Sequence, residues 1–217
     1  LAEHPIAASF DDTLKFIDSA KARISPAIAN DPELEMIYGI YQETLSSEDA
    51  MDFSDIVLSV VQKMHAQEMM PLPIRWLLVD EAQDMDEVQM EWVKAHGLAG
   101  IEVSLVGDDD QSLYAFRHAM GYLGLTDVSG TLVSTETTLP LNYRCAPNIL
   151  EHAAKLIAHN KLRAPKRIEA FRTSPGEVQV IRASDRWDEA ELLLARIRAV
   201  GPDAEWGILG RTNSMLD

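Results

Sequence analysis

The stretch IRWLLVDEAQDMDEVQ, residues 74–89, decides how the rest of the chain is read. Ile74 to Val79 form an apolar run too short for a self-burying helix, which predicts a parallel strand buried on both faces. Asp80, Glu81 and Asp84 follow at its carboxyl end, the edge at which open α/β sheets place their ligands. Adjacent carboxylates on a rigid strand end suit a hydrated Mg²⁺ and an attacking water, the two needs of nucleotide hydrolysis. The same acids also suit the solvated first turn of a helix. These residues alone leave both readings open.

A second stretch repeats the pattern. In IEVSLVGDDDQSLYAFRHA, residues 101–119, a β-rich run leads to a glycine, three acids, and then polar and aromatic residues. Gln111 falls just past a strand end, placed to sense a terminal phosphate. Tyr114, Phe116 and Arg117 supply two flat rings and a guanidinium, the groups that stack unpaired bases. A third stretch, LPLNYRCAPNIL (139–150), brings Tyr143 and Arg144 just ahead of a helix.

With these three stretches in hand, the chain resembles the UvrD/Rep group of superfamily 1 DNA helicases. DEAQD looks like their Walker B motif, GDDDQSLYAFRHA their third motif and LNYR their fourth. WGILGRTN (206–213) is similar to the strand that follows in their second motor domain, and MDFSDIV (51–57) to the short DF-D segment before Walker B. The resemblance implies an α/β fold of RecA-like P-loop NTPase motor domains with a parallel sheet, preceded by helices of an inserted helical subdomain. Residues 1–50 would be the tail of that insertion, 51–140 part of the first motor domain, and 141–217 the start of the second, with a hinge near Leu139 to Leu141.

The same resemblance assigns roles. The cofactors would be ATP and Mg²⁺. Asp80 would hold the metal through water, with Glu81 beside it, and Glu81 would orient or deprotonate the attacking water. Gln111 would contact the γ-phosphate, Tyr143 would stack on adenine, and Arg144 would act as an arginine finger. Tyr114, Phe116, Arg117, Arg211 and Asn213 would touch DNA. The implied activity is ATP-dependent movement on single-stranded DNA, 3′ to 5′, with unwinding at duplex junctions. Two positions depart from the family pattern: Phe116 replaces the usual Trp, and His118 the usual Gly. Two other functions are compatible with the motifs. One is the helicase subunit of a helicase–nuclease recombination or defence complex; the other is a non-catalytic interaction module derived from a helicase.

No GxxxxGK followed by Ser or Thr occurs, so the phosphate-cradling loop is not within these residues. Nor are the family's last two motifs. The expectation is a central piece of a longer polypeptide whose N- and C-terminal parts complete the motor, and which is inactive by itself.

Composition sets the remaining bounds. The chain has 217 residues, 47% of them hydrophobic, enough for a real core rather than disorder. No apolar run approaches the length of a membrane span, and no signal peptide is evident. The lone Cys145 fits a reducing, cytoplasmic setting and reads as a small packing residue. A net charge of −16 is the wrong sign for a protein that coats DNA, so weak DNA affinity is expected of the chain alone. Lys161, Arg163, Lys166 and Arg167 make the strongest basic cluster, either a solvated loop or a DNA-backbone contact. The triplet Asp108–Asp110 has the acids of a calcium loop without its other ligands, and the histidines lack metal-ligand spacing.

Periodicity predicts helices over Ser9–Ile24, from Asp31–Pro32 onward, and over Asp52–Gln67, Asp86–His96, Pro147–His159 and Asp188–Val200. Besides the strand at residue 74, it predicts strands at Val103–Val106, Thr131–Leu139, Val178–Ala183 and Gly207–Leu209.

Overall fold

The computed structural model describes residues 9–25, 31–201, 203–212 and 215. Three helices come first: α1 (Phe10–Lys21), α2 (Pro32–Ser47) and α3 (Phe53–His65). Each starts where a side chain satisfies the orphan N–H groups of a first turn. Ser9 caps α1, Asp31 accepts from the N–H groups of Glu33 and Leu34 ahead of α2, and Asp52 with Asp55 forms a reciprocal capping box on α3.

A β–α–β unit follows. Strand β1 (Trp76–Val79) leads through α4 (Glu87–Leu98) to β2 (Glu102–Leu105), which pairs with β1 in parallel, Trp76 opposite Glu102 and Val79 opposite Leu105. Next come α5 (Gly121–Leu132), β3 (Leu141–Asn142), α6 (Pro147–Ile157), β4 (Glu169–Ala170) and α7 (Arg186–Val200), with β3 and β4 forming a second small parallel sheet. Helices alternating with parallel strands make this an α/β chain. Among the described residues no helix is long and apolar enough to cross a membrane.

Helix α4 is the centre of the packing. One of its sides buries Val88 against Leu58 and Val61 of α3. The other places Met90 and Val93 against Val128 of α5 and against Leu77, Val79, Val103 and Leu105 of the sheet. Fully burying one such aliphatic side chain stabilises the fold by roughly 1.5–3 kcal/mol. Close approach of α4 and α5 depends on small residues: a Cβ at Gly97 would meet Leu132 at 2.5 Å, and one at Gly124 would meet the Met90 methyl at 2.8 Å.

Four expectations are corrected. The strand at residue 74 is covered on one face only. Leu77 and Val79 point into the core, whereas Trp76 and Leu78 are 58% and 79% exposed, because no described element packs on that face. No strand forms over Thr131–Leu139: α5 runs to Leu132, its apolar side gaining contact with α4, and the chain then leaves helix through Val133 at φ 51°. Val178–Ala183 and Gly207–Leu209 are also irregular, since a strand needs a partner for its backbone groups and none of the described residues pairs with them. Helix α5 itself goes unpredicted, because Gly121, Gly124, Gly130, Thr126 and Ser129 all weaken the helical signal.

The helical start is stapled by one buried charge. The Lys21 side chain, 1% exposed, places its ammonium 2.6 Å from Asp52 and 2.8 Å from Asp55, while the Tyr41 hydroxyl donates to Asp52 at 2.8 Å. Burial would raise the Asp52 carboxyl, but bonds from Lys21, the Asp55 N–H and Tyr41 outweigh it and hold it below the usual range. Tyr41 is pushed up to about 12, chiefly by its bond to that carboxylate and then by burial. The stability Asp52 contributes is present above its unfolded value of about 4 and is lost as pH falls through the folded one. The Tyr41 contribution is present below about pH 10 and is lost as pH rises through 12. Urea unfolding followed by circular dichroism checks this: Lys21→Ala is expected to cost ~3 kcal/mol at pH 7, and progressively less as pH falls through the folded-state value of Asp52.

Candidate active site

Because β1 and β2 are parallel and in register at Val79 and Leu105, their carboxyl ends deliver both acidic loops to one edge of the sheet. Asp80 and Glu81 leave β1 exposed to solvent, and Gly107 to Asp110 leave β2 beside them. Glu81 sits in the left-handed region, φ 51°, ψ 38°, a conformation that costs a side-chain-bearing residue of order 1–3 kcal/mol. Three bonds hold it there. Asp80 Oδ1 accepts the Glu81 N–H at 2.9 Å, the Gln83 carboxamide nitrogen donates to Glu81 Oε2 at 2.8 Å, and Ala82 N–H donates to the Val106 carbonyl at 3.0 Å.

Gln83 links the two loops. It is 1% exposed, and its Oε1 accepts the Asp108 N–H at 3.0 Å while its backbone carbonyl accepts from the Ser112 hydroxyl at 3.3 Å. A Cβ at position 107 would lie 2.7 Å from Gln83 Oε1, so any larger residue there would push the Gln83 amide out of place. Asp108 Oδ2 in turn accepts from the Gln111 carboxamide at 2.7 Å. A continuous line of hydrogen bonds thus runs from Glu81 through Gln83 and Asp108 to Gln111. Behind it, Asp84 Oδ1 is buried without a hydrogen-bond partner.

The structure therefore links Glu81 to Gln111 through Gln83 and Asp108, with Asp80 bonded to the Glu81 N–H; Gln83 is the residue that the sequence reading does not single out. Its signal in sequence is faint: an amide inside an acidic run, and a glycine just past the next strand.

Tyr114, Phe116 and Arg117 follow on an exposed 3₁₀ turn. The two rings lie 5.9 Å apart, tilted by 52°, with Phe116 74% exposed. This segment is tied to the first acidic loop, since the Met120 N–H donates to the Met85 carbonyl at 2.8 Å. Tyr143 and Arg144 occupy a turn directly after β3. Asn142 Oδ1 accepts the N–H groups of Arg144 at 3.0 Å and Cys145 at 2.8 Å, fixing that turn, and the Tyr143 ring packs 4.8 Å from Phe171. The Arg144 guanidinium is exposed and makes no ion pair among the described residues. Arg211 lies on an exposed bend without a hydrogen bond or ion pair among the described residues, and Asn213 lies outside them.

Only half of the basic cluster is a solvated loop. Arg163 and Lys166 turn inward onto Asp108–Asp110, leaving only Lys161 and Arg167 exposed, the latter 3.2 Å from Glu169. Burial would raise the Asp108 carboxyl, but Lys166 and Gln111 override it and hold it below the usual range. Arg163 holds Asp110 low against burial, with Lys166 adding to the effect. An ammonium therefore takes the place a calcium ion would need.

Comparison with known proteins decides the lineage. Residues 9–123 match the model of the UvrD/REP helicase N-terminal domain. The chain belongs to the UvrD/Rep helicase family. It is 30% identical over 204 residues to the ATP-dependent DNA helicase PcrA of Staphylococcus epidermidis, covering 86% of this chain and 27% of that protein. It is 31% identical over 191 residues to DNA helicase II of Escherichia coli, covering 83% of this chain and 26% of the relative. With the ATP-dependent DNA helicase srs2 of Schizosaccharomyces pombe the identity is 33% over 135 residues, 62% of this chain and 15% of that one. The chain spans about a quarter of the length of the PcrA and helicase II relatives.

Membership gives the His118 departure a physical meaning. This UvrD/Rep chain places His118 at φ 64°, where a glycine carries no Cβ penalty and a histidine does. The larger structural claim concerns Gln83. Its replacement by Leu leaves the Asp108 N–H and a Glu81 oxygen without their partner, and is expected to destabilise the fold by ~1–3 kcal/mol. Hydrogen exchange is expected to accelerate at residues 81–84 and 107–112 while staying unchanged in α3.

Proposed function

We propose that this chain is the central part of an ATP-dependent DNA helicase, coupling ATP hydrolysis to 3′-to-5′ movement on single-stranded DNA and to duplex unwinding. The observation that carries this reading is the hydrogen-bonded line joining Glu81 to Gln111 at one sheet edge, with the Tyr114–Phe116 rings next in the chain. In the RecA-like arrangement that family membership suggests, residues 1–50 close an inserted helical subdomain, 51–140 belong to the first motor domain and 141–217 open the second. The separate pairing of β1 with β2 and of β3 with β4 supports that division.

The donor set fits Mg²⁺ and nucleotide. Asp80 and Glu81 are solvent-facing oxygen ligands on a rigid strand end, and Mg²⁺ keeps several waters while using one or two carboxylates. When bound, the metal neutralises charge on the phosphates. Asp80, with Glu81 beside it, would hold the metal. Glu81, its carboxylate aimed by the Gln83 amide, orients the attacking water and takes its proton. Gln111 exchanges its bond to Asp108 for one to the γ-phosphate, so phosphate occupancy is felt at the aromatic turn that follows. Tyr143, exposed on its turn and backed by Phe171, offers a face to adenine. Arg144, free of ion pairs, stabilises charge on the transferred phosphoryl group. Tyr114, Phe116 and Arg117 stack on and steer unpaired bases, and Arg211 and Asn213 are assigned to the DNA path on the family pattern.

The same set opposes a non-catalytic reading, since a scaffold has no need of an exposed Asp–Glu pair held in a strained backbone. The full-length protein separates the two proposed roles. Arg144→Ala is expected to lower turnover at saturating ATP by ~10³-fold or more, with single-stranded DNA affinity unchanged. Phe116→Ala is expected to keep ATP binding but weaken DNA by roughly 1–3 kcal/mol and lose unwinding. Steady-state ATPase and fluorescence anisotropy check both. Wild-type turnover in Arg144→Ala, or normal unwinding in Phe116→Ala, removes the corresponding role.

A further inference from the structure

Asp108, Asp109 and Asp110 present carboxylate oxygens within 4.8 Å of one another beside Asp80 and Glu81. Three such charges repel unless a cation sits among them, and a second divalent ion would compete with the site at Asp80. In this chain the cation is covalent. The Lys166 ammonium touches all three carboxylates, lying 3.0 Å from Asp110, and Arg163 forks onto Asp110 with bonds of 2.8 and 2.7 Å. The Ala164 N–H adds a bond of 2.7 Å to Asp109, whose side chain is 5% exposed. Charges this well enclosed and multiply bonded are held far more firmly than surface pairs.

The bridge spans two parts of the chain that carry different chemistry. On one side, Asp108 gives one oxygen to Lys166 and the other to Gln111. On the other side, Lys166 lies just ahead of β4, which is laced to β3: the Glu169 N–H donates to the Pro140 carbonyl at 2.7 Å and the Phe171 N–H to the Asn142 carbonyl at 2.9 Å. Tyr143 and Arg144 follow Asn142 directly. The route from Gln111 to Arg144 thus passes through the Lys166 ammonium and a short length of sheet.

We propose that Lys166, supported by Arg163, is a positioning residue for ATP hydrolysis: it clamps the Asp108–Asp110 loop and thereby sets the Arg144 turn against Gln111. The proposal rests on the helicase reading above. Held low by their cations, Asp108 and Asp110 stay charged at neutral pH, so the clamp does not release by protonation there. When Gln111 leaves Asp108 for a phosphate, that carboxylate loses one of its three partners and keeps Lys166 and the Asp110 N–H, so the clamp loosens without letting go.

The test uses the full-length protein, saturating single-stranded DNA and steady-state ATPase. Lys166→Ala is expected to lower kcat at least ~10-fold while KM for ATP and DNA affinity stay within about 2-fold, and Lys166→Arg to recover most of the loss. A charge swap guards against misfolding: Arg163→Asp and Asp110→Arg are each expected to lose activity, and the double variant to exceed either. Wild-type kcat in Lys166→Ala, or a swap no better than the worse single variant, overturns the positioning role alone. Wild-type protein without DNA-stimulated turnover overturns the helicase reading and the positioning role with it.

Discussion

The arrangement of the site depends on one buried carboxamide. Gln83 is wedged between the ends of two parallel strands, donating to Glu81 and accepting from the backbone of Asp108. Its burial makes both bonds matter, because an amide cut off from water must satisfy its donor and acceptor inside the protein. The left-handed turn at Glu81, the glycine at 107 and the position of the second acidic loop all follow from accommodating it. That constraint converts two separate motifs into one surface on which a carboxylate and an amide face the same volume.

Electrostatics resolves the conflict between acidic composition and a nucleic-acid role. The net charge of −16 does not spread evenly over the chain. Asp52 and Asp55 share the single positive charge of buried Lys21, and Asp108 to Asp110 share those of Lys166 and Arg163, so each cluster is largely but not fully compensated. Asp80 and Glu81 remain solvent-facing, as the proposed metal role requires. The stacking proposed for the aromatic turn at Tyr114–Phe116 does not depend on net charge.

Apart from α5, the helices and the βαβ unit were legible in the sequence because each has its own local signal. Asp31 before Pro32, Asp52 before Phe53 and Asp86 before Glu87 mark helix starts. The acids at 80–81 and the amide at 111 were legible for the same reason, falling just past β-rich runs. What was not legible depends on distant partners. Residues 131–139, 178–183 and 207–209 have strand-like composition, yet no neighbour pairs with them. Trp76 and Leu78 suit a covered face that no described element covers. Nor could spacing reveal that Arg163 and Lys166 reach back across more than fifty residues, with Arg163 53 positions from Asp110, to join the acidic triplet.

The central claim is that Glu81 is the base aimed by this network at the attacking water. Single-turnover hydrolysis of ATP by the full-length protein, with Mg²⁺ and single-stranded DNA, measures it most directly when wild type is compared with Glu81→Gln. The amide keeps the size of the side chain and its contact with Gln83 but cannot take a proton. The variant is expected to bind ATP with wild-type affinity and to hydrolyse it ~10²–10⁴-fold more slowly. Hydrolysis at the wild-type rate by Glu81→Gln would contradict the assignment.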